Sequence, residues 1–425
     1  MLRAALTAAL VLTSAALAAR QQSPQAAAAE VSAERLARID AVLQQHVETN
    51  RIAGATALVL RDGRPVYERS FGWSDKEAGR RMTTDTIFRI ASQTKAITSV
   101  AILSLMEEGR LSLNAPVGRY IPAFNQTTVA VKGRAGIETA SARRPITIRD
   151  LLTHTAGISY GVDPLVAPLY ETKGLGRAAG YGWYTADRDE EVCVTMERLA
   201  TLPFVAQPGE SYVYGYNTDI LGCVVERASG VPLDRFIAGR ITKPLGMNDT
   251  HFFLPAADRT RLAAVYSADA TGTIVRAPEG ARGQGHYVAG PRKNFSGGAG
   301  LLSTARDYAR FLEMIRQGGA LDGVRILSPR TVALMTTNQV GMLHSTRGLG
   351  FDLGFQTVDR YGAHSLSSVG SYGWSGAYGS HYLVDPHARL VIVFMIQMLP
   401  NRTEYDQLFP TLVYQALLDT PLVRQ

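Results

Sequence analysis

The 425-residue chain contains only two cysteines, Cys193 and Cys223. It has no Cys-x-x-Cys, no His-Glu-x-x-His and no phosphate-binding Gly-rich loop ending in Lys-Ser/Thr. A metal centre, a dithiol redox pair or a nucleotide cofactor therefore has no support in the residues, and no cofactor is expected. The two cysteines suit either a disulfide in an oxidising compartment or a pair of buried thiols. Lysine is scarce: Lys76, Lys95, Lys132, Lys173, Lys243 and Lys293 are all there are, and arginine supplies the rest of a formal net charge of +7. The arginines are scattered, without a basic run or interleaved aromatics. That reads as solvated surface and speaks against a nucleic-acid partner. No apolar run after the N-terminus is long enough to cross a bilayer; the longest, LVIVFMIQML at Leu390–Leu399, fits a buried strand.

What remains is globular composition, 46% hydrophobic and 19% charged. The first residues, MLRAALTAALVLTSAALAARQQ, have the form of an export signal. Arg3 gives a positive start, Ala4–Leu17 a short apolar core and Ala16-Leu17-Ala18 a small-residue cleavage site. The expectation is a leader of about residues 1–19 and a periplasmic or secreted bacterial protein without a membrane span. A single catalytic domain over 30–425 would follow.

Glu34–Thr49 has helical spacing, and ATALVLRDGRPVYERSFGW reads as a hairpin turning at Asp62-Gly63. A short strand, Thr86–Ile90, leads into a helix over Ser92–Glu108, stopped by Gly109. From about 110 to 295 the chain is rich in Pro and Gly, with short helices at Ile148–His154, Glu190–Leu202 and Thr218–Ala228. Strands return at Leu349–Val358, Ala377–Val384 and Leu390–Met398, before a last helix near Glu404–Leu418. The pattern predicts an α+β fold: one antiparallel sheet built from both chain ends and flanked by helices, with a mainly helical subdomain inserted.

One lysine follows a serine by three residues: Ser92 and Lys95, in FRIASQTKAITSVAIL. That spacing puts both side chains on one helix face. A serine needs a base to lose its proton at neutral pH, and a partly desolvated lysine can serve. At a helix start the backbone N–H of Ser92 can also donate to a developing oxyanion. The bland alternative is an N-cap serine beside a surface lysine. A rival nucleophile is Ser159, because Gly157-Ile158-Ser159-Tyr160-Gly161 matches Gly-x-Ser-x-Gly. That motif works at a strand-to-helix elbow, whereas DLLTHTAG before it reads as helix and GVDPLVAP after it as loop.

The chain resembles the serine β-lactamase and penicillin-binding-protein superfamily. Within it the likeness is to the class C-like branch of D-alanyl-D-alanine carboxypeptidases and family VIII esterases. The stretches that carry it run from about Glu34 to Leu418: FRIASQTKAITSVAILSLMEEGRLSLNAPV, ITIRDLLTHTAGISYG, PGESYVYGYNTDILGCVVERASG, PLGMNDTHF and GGAGLLSTARDYARF. The resemblance implies Ser92 as nucleophile and Lys95 as its base. The family's Tyr-x-Asn element aligns, through Asp219-Ile220-Leu221-Gly222, with Tyr214 as the proton-relaying tyrosine. Tyr216 then falls at the asparagine position, with Asn217 one place late, and both are candidate substrate contacts.

The family's third element, Lys-Thr-Gly or His-x-Gly, is missing, since no lysine follows Lys293. Trp374-Ser375-Gly376 stands in its place, close to the Trp-Gly-Gly-like triplet of the esterase branch. The next residue, Ala377, would supply the second oxyanion N–H. Trp374 is otherwise ordinary strand core. A tryptophan cannot pair with a substrate carboxylate, but it offers an apolar wall to neutral acyl and alcohol groups. The expected activity is a serine carboxylesterase acting through an acyl-enzyme on a small-molecule ester. The alternative is a β-lactamase or D-Ala-D-Ala-type peptidase on the same machinery.

Overall fold

The structure is a computed structural model that describes residues 31–134, 136–176, 185, 187–343, 349–351, 354–358, 366–399 and 405–418. The expected leader lies outside the described residues. Among them no helix is long and apolar enough to cross a membrane.

The main sheet has eight strands. They are β1 (Gly54–Arg61), β2 (Arg64–Asp75), β3 (Arg80–Arg81), β4 (Leu349–Phe351), β5 (Gln356–Val358), β6 (Tyr372–Ser375), β7 (His381–Asp385) and β8 (Leu390–Met395). Their spatial order is β4-β5-β6-β7-β8-β1-β2-β3. Every neighbouring pair is antiparallel, so the two chain ends meet along the β1–β8 seam, with Thr56 opposite Met395 and Arg61 opposite Leu390. The hairpin from β1 to β2 turns at Asp62 and Gly63, both at positive φ (52° and 74°), as a tight hairpin turn of the primed kind demands.

Both faces of the seam are covered, so its two central strands are buried at every position. Side chains alternate across a strand. Ala55, Ala57 and Val59 of β1 and Ile392 and Phe394 of β8 face one layer, formed by helices α1 (Ala33–Glu48) and, from the other chain end, Tyr405–Tyr414. Leu58, Leu60, Val391, Val393 and Met395 face the larger core. That core also holds α2 (Thr94–Glu107), which is buried almost throughout its length. Two further helices there matter for the site: α3 (Val192–Leu199) and α4 (Asn217–Ser229). A disulfide between Cys193 and Cys223 ties α3 to α4, resolving the choice that the residues alone left open.

Three expectations change. The run Leu349–Val358 is two antiparallel strands, β4 and β5, and Gly354 at φ 138° lies between them. The run Ala377–Val384 becomes β7 alone, because Gly376–Gly379 forms the turn after β6: the Gly379 N–H donates to the Gly376 carbonyl at 3.0 Å and Gly379 has φ 87°. In both places glycine ends a strand that apolar alternation would have continued. The middle of the chain also carries a hairpin, Thr128–Gly133 paired with Gly136–Ser141; one of its arms is mostly exposed and polar, so it has little alternation to read.

Candidate active site

The Ser92 segment is held from below. Phe88–Arg89 pairs with Leu302–Ser303, the Ile90 N–H donates to the Leu301 carbonyl at 3.1 Å, and the Thr94 hydroxyl accepts from the Leu301 N–H at 3.1 Å. Ser92 itself lies in a short 3-10 turn, Ala91–Gln93, that feeds α2. Ala91 is fully buried at φ 44°. Left-handed backbone is costly for a residue with a Cβ, and such strain persists only where packing enforces it. The result lifts Ser92 to a half-buried position one turn before Lys95.

Lys95 is 4% exposed. Its Nζ donates to the Gly298 carbonyl at 2.8 Å, the Tyr160 hydroxyl at 3.0 Å and Ser92 Oγ at 3.3 Å, which uses all three ammonium hydrogens. The Tyr214 ring lies over it, centroid 4.7 Å from Nζ. The Tyr214 hydroxyl is buried and has no hydrogen-bond partner among the described residues. The ring is thus against Lys95 while its hydroxyl is uncommitted.

Tyr160 was not singled out from the residues. The signal was present, because it sits inside the Gly-x-Ser-x-Gly segment, but attention goes to the serine there. Burial, and then the neighbouring Tyr214, pushes the Tyr160 phenol well above its ordinary range, so it stays neutral and can donate onward. His154, at φ 55°, stacks on Tyr214 with ring centroids 4.7 Å apart. Burial, and then the Lys95 charge, holds His154 well below its usual pKa, so a neutral ring lines the cleft.

Tyr216 and Asn217, expected at the substrate, are both fully buried. The Asn217 amide donates to His154 Nδ1 at 2.9 Å and to the Ile158 and Val213 carbonyls at 3.2 Å each. Tyr216 packs edge-on against Tyr160, centroids 4.8 Å apart, and its hydroxyl accepts from the Gly176 N–H at 3.4 Å. Asn217 starts α4 and binds the loops beneath the cleft. Ser159 is 3% exposed, and its oxygen accepts from the Gly161 N–H at 3.0 Å.

Trp374 stands at the end of β6, half-exposed, its ring 5.6 Å from that of Tyr214. Together with Lys95, His154, Tyr212, Tyr214 and Phe355 it walls an open cleft. Ser375 follows it and is exposed. Gly376 presses on the Ser92 turn: a Cβ there would come 2.6 Å from the Ile90 carbonyl oxygen. Its own N–H is taken by the Ser380 carbonyl at 2.7 Å. The half-buried Ala377 comes next, carried by the same turn.

The family described as Beta-lactamase matches residues 39–413. Protein Rv1367c of Mycobacterium tuberculosis is 34% identical over 85% of this chain and 90% of its own length. Esterase EstB of Burkholderia gladioli is also 34% identical, over 86% of this chain and 91% of its own. Among solved structures, EstCE1, described as a hydrolase with promiscuous acyltransferase activity, superposes with a TM-score of 0.75 at 28% identity. That match covers 90% of this chain and 99% of EstCE1.

Proposed function

The chain belongs to the beta-lactamase family and is a serine hydrolase; we propose that it cleaves neutral carboxylic esters through an acyl-enzyme on Ser92. With its amine free, Lys95 takes the Ser92 proton as Oγ bonds to the ester carbonyl carbon. The Ser92 and Ala377 N–H groups receive the oxyanion. As the ester C–O bond breaks, the proton passes by way of the Tyr214 phenol to the leaving alkoxide, which departs as alcohol. Water then attacks the acyl carbon, gives its proton to Lys95, and the acid leaves while Ser92 regains its hydrogen. The 3.3 Å contact from Lys95 to Ser92 and the uncommitted Tyr214 hydroxyl support these roles.

The observation that carries the ester reading is Trp374 itself. The position where a cation would meet a substrate carboxylate is instead an indole against Tyr214, on the wall of the cleft. The aromatic lining favours neutral, apolar acyl and alcohol groups. The name of the Burkholderia relative agrees with this reading. The test is kcat/KM for p-nitrophenyl butyrate against a chromogenic cephalosporin, with a fluorophosphonate probe mapped by mass spectrometry. Ester turnover well above lactam turnover and a label on Ser92 are expected. Faster lactam cleavage, or a label elsewhere, would overturn the reading.

Export is part of the same proposal. The leader-like first residues and the Cys193–Cys223 disulfide support an oxidising compartment outside the cytoplasm. Fractionation of expressing cells is expected to place the activity in the periplasm or medium; activity confined to the cytoplasm would refute it.

A further inference from the structure

Beneath Lys95 lies a carboxylate that the reaction above does not use. Asp219, in the first turn of α4, is fully buried. Its Oδ1 accepts from the Ser296 hydroxyl at 2.6 Å and from the Gly298 N–H at 3.1 Å. Its Oδ2 is buried with no hydrogen-bond partner among the described residues. A Cβ on Gly298 would come 2.4 Å from that oxygen, so the carboxylate lies flush against the Gly298 backbone. The same Gly298 offers its carbonyl to Lys95 Nζ at 2.8 Å, and the Gly297 carbonyl accepts from Thr98 at 2.8 Å. The backbone that grips Lys95 is thus itself gripped by Asp219.

We propose that Asp219 is a positioning residue for Lys95: it holds the Ser296–Gly298 segment that receives the lysine, and its carboxylate is the buried counter-charge to the ammonium. The inference rests on the reading of Lys95 as the base. An asparagine carbonyl would make the same two bonds to Ser296 and Gly298, so scaffolding alone does not call for a carboxylate. Burying a charge with one oxygen unbonded is costly unless an opposite charge lies near it. Lys95, itself almost fully buried, is that charge. The other titratable side chains around the two are aromatic: His154, held low by burial, and Tyr160 and Tyr216, pushed up by burial, with Tyr212 and Tyr214 beside them. Arg188 acts on Tyr216. Burial raises the Asp219 carboxyl above its ordinary range, against the smaller pull of the Ser296 bond and then of Lys95.

A buried negative charge favours the charged form of a cation packed beside it, so the acid limb of the activity profile reads whether that charge is present. Removing the charge is expected to move the limb downward. The experiment is the pH profile of kcat/KM and kcat for p-nitrophenyl butyrate in the full chain, in wild type, Asp219→Asn, Ser296→Ala and Lys95→Ala. Asp219→Asn keeps the two acceptor bonds, and its acid limb is expected about one pH unit lower. Ser296→Ala keeps the charge but loosens the segment, so kcat is expected to fall about tenfold with the limb unmoved. An acid limb that stays or rises in Asp219→Asn overturns the proposal. If that variant does not fold, Ser296→Ala decides, and an unchanged kcat there overturns it. Lys95→Ala separates the two readings: wild-type turnover without the lysine would sink the catalytic role of Lys95 itself, whereas a large loss there with an unmoved limb in Asp219→Asn sinks only the present inference.

Discussion

Two short turns in this protein each carry a serine in a setting that could suggest a nucleophile. Ser92 follows a buried alanine forced to φ 44°; Ser159 lies between Gly157 at φ 78° and Gly161 at φ 69°. Only the alanine is strained there, since glycine adopts positive φ freely, and the outcome is opposite. Ser92 is half-buried beside an amine 3.3 Å from its oxygen. Ser159 is sealed in. Gly215 packs so closely on its segment that a Cβ there would come 2.2 Å from the Ile158 carbonyl oxygen, and the Ser159 oxygen is spent on a turn N–H. A serine motif becomes chemistry only where a base and an approach for substrate coincide. The Gly-x-Ser-x-Gly turn still serves the site, through its next residue, Tyr160, which meets Lys95.

The sharpest way to break this comparison is to exchange the two serines for alanine. Ser92→Ala is expected to lower kcat by at least about 10⁴-fold, because it deletes the attacking oxygen, and to abolish fluorophosphonate labelling without changing the circular dichroism spectrum. Full activity in this variant would hand the role to another residue.

Next in size are the groups around the base. Lys95→Ala is expected to cost about 10²–10⁴-fold in kcat, the usual range for a general base. Tyr214→Phe is expected to cost about 10²-fold. Tyr160→Phe removes one of three acceptors from Lys95 and is expected to cost about tenfold. Combining Lys95→Ala with Tyr214→Phe should be hardly worse than the lysine variant alone, since groups acting as one unit are not additive. Multiplying losses in kcat would show that the two act separately.

The cleft wall tests what substrate the Ser92 side accepts. Trp374→Lys adds a charge-assisted partner for a carboxylate and removes an apolar surface. The ratio of cephalosporin to p-nitrophenyl butyrate kcat/KM is expected to rise about tenfold, the size of one such bond. The gain should shrink in high salt, because the new charge is partly exposed. An unchanged ratio would mean that Trp374 does not meet the substrate.

The smallest effect belongs to the other serine. Ser159→Ala is expected to leave kcat within about twofold of wild type and to cost about 1 kcal/mol of stability, the worth of one turn hydrogen bond. Thermal denaturation and ester turnover read both. A loss as deep as that of Ser92→Ala would erase the distinction between the two turns.

Much of the fold was legible because it rests on local periodicity. The helix Ala33–Glu48, the Asp62-Gly63 hairpin and the apolar strand Leu390–Met395 all carry their own signal. The two runs that hold a glycine turn were misjudged, since alternation continues through Gly354 and Gly379 on paper. In the site, Ser92 and Lys95 were readable because one helical turn separates them. Tyr216 and Asn217 lie buried beneath the cleft, and alignment by motif says which residues are near the tyrosine and not which way they face.

By itself, then, the sequence determined the pair Ser92–Lys95, the missing lysine after Lys293 and the apolar seam of the sheet. Each depends on residues close in the chain or on a plain absence. Only the tertiary structure decided that Tyr160, Tyr214, Gly298 and Trp374 surround one amine and one cleft, that Asp219 lies beneath it, and that Cys193 and Cys223 join. Those contacts span long stretches of chain. They exist because packing both sheet faces brings separate segments together, and no local pattern of side chains encodes which of them will meet.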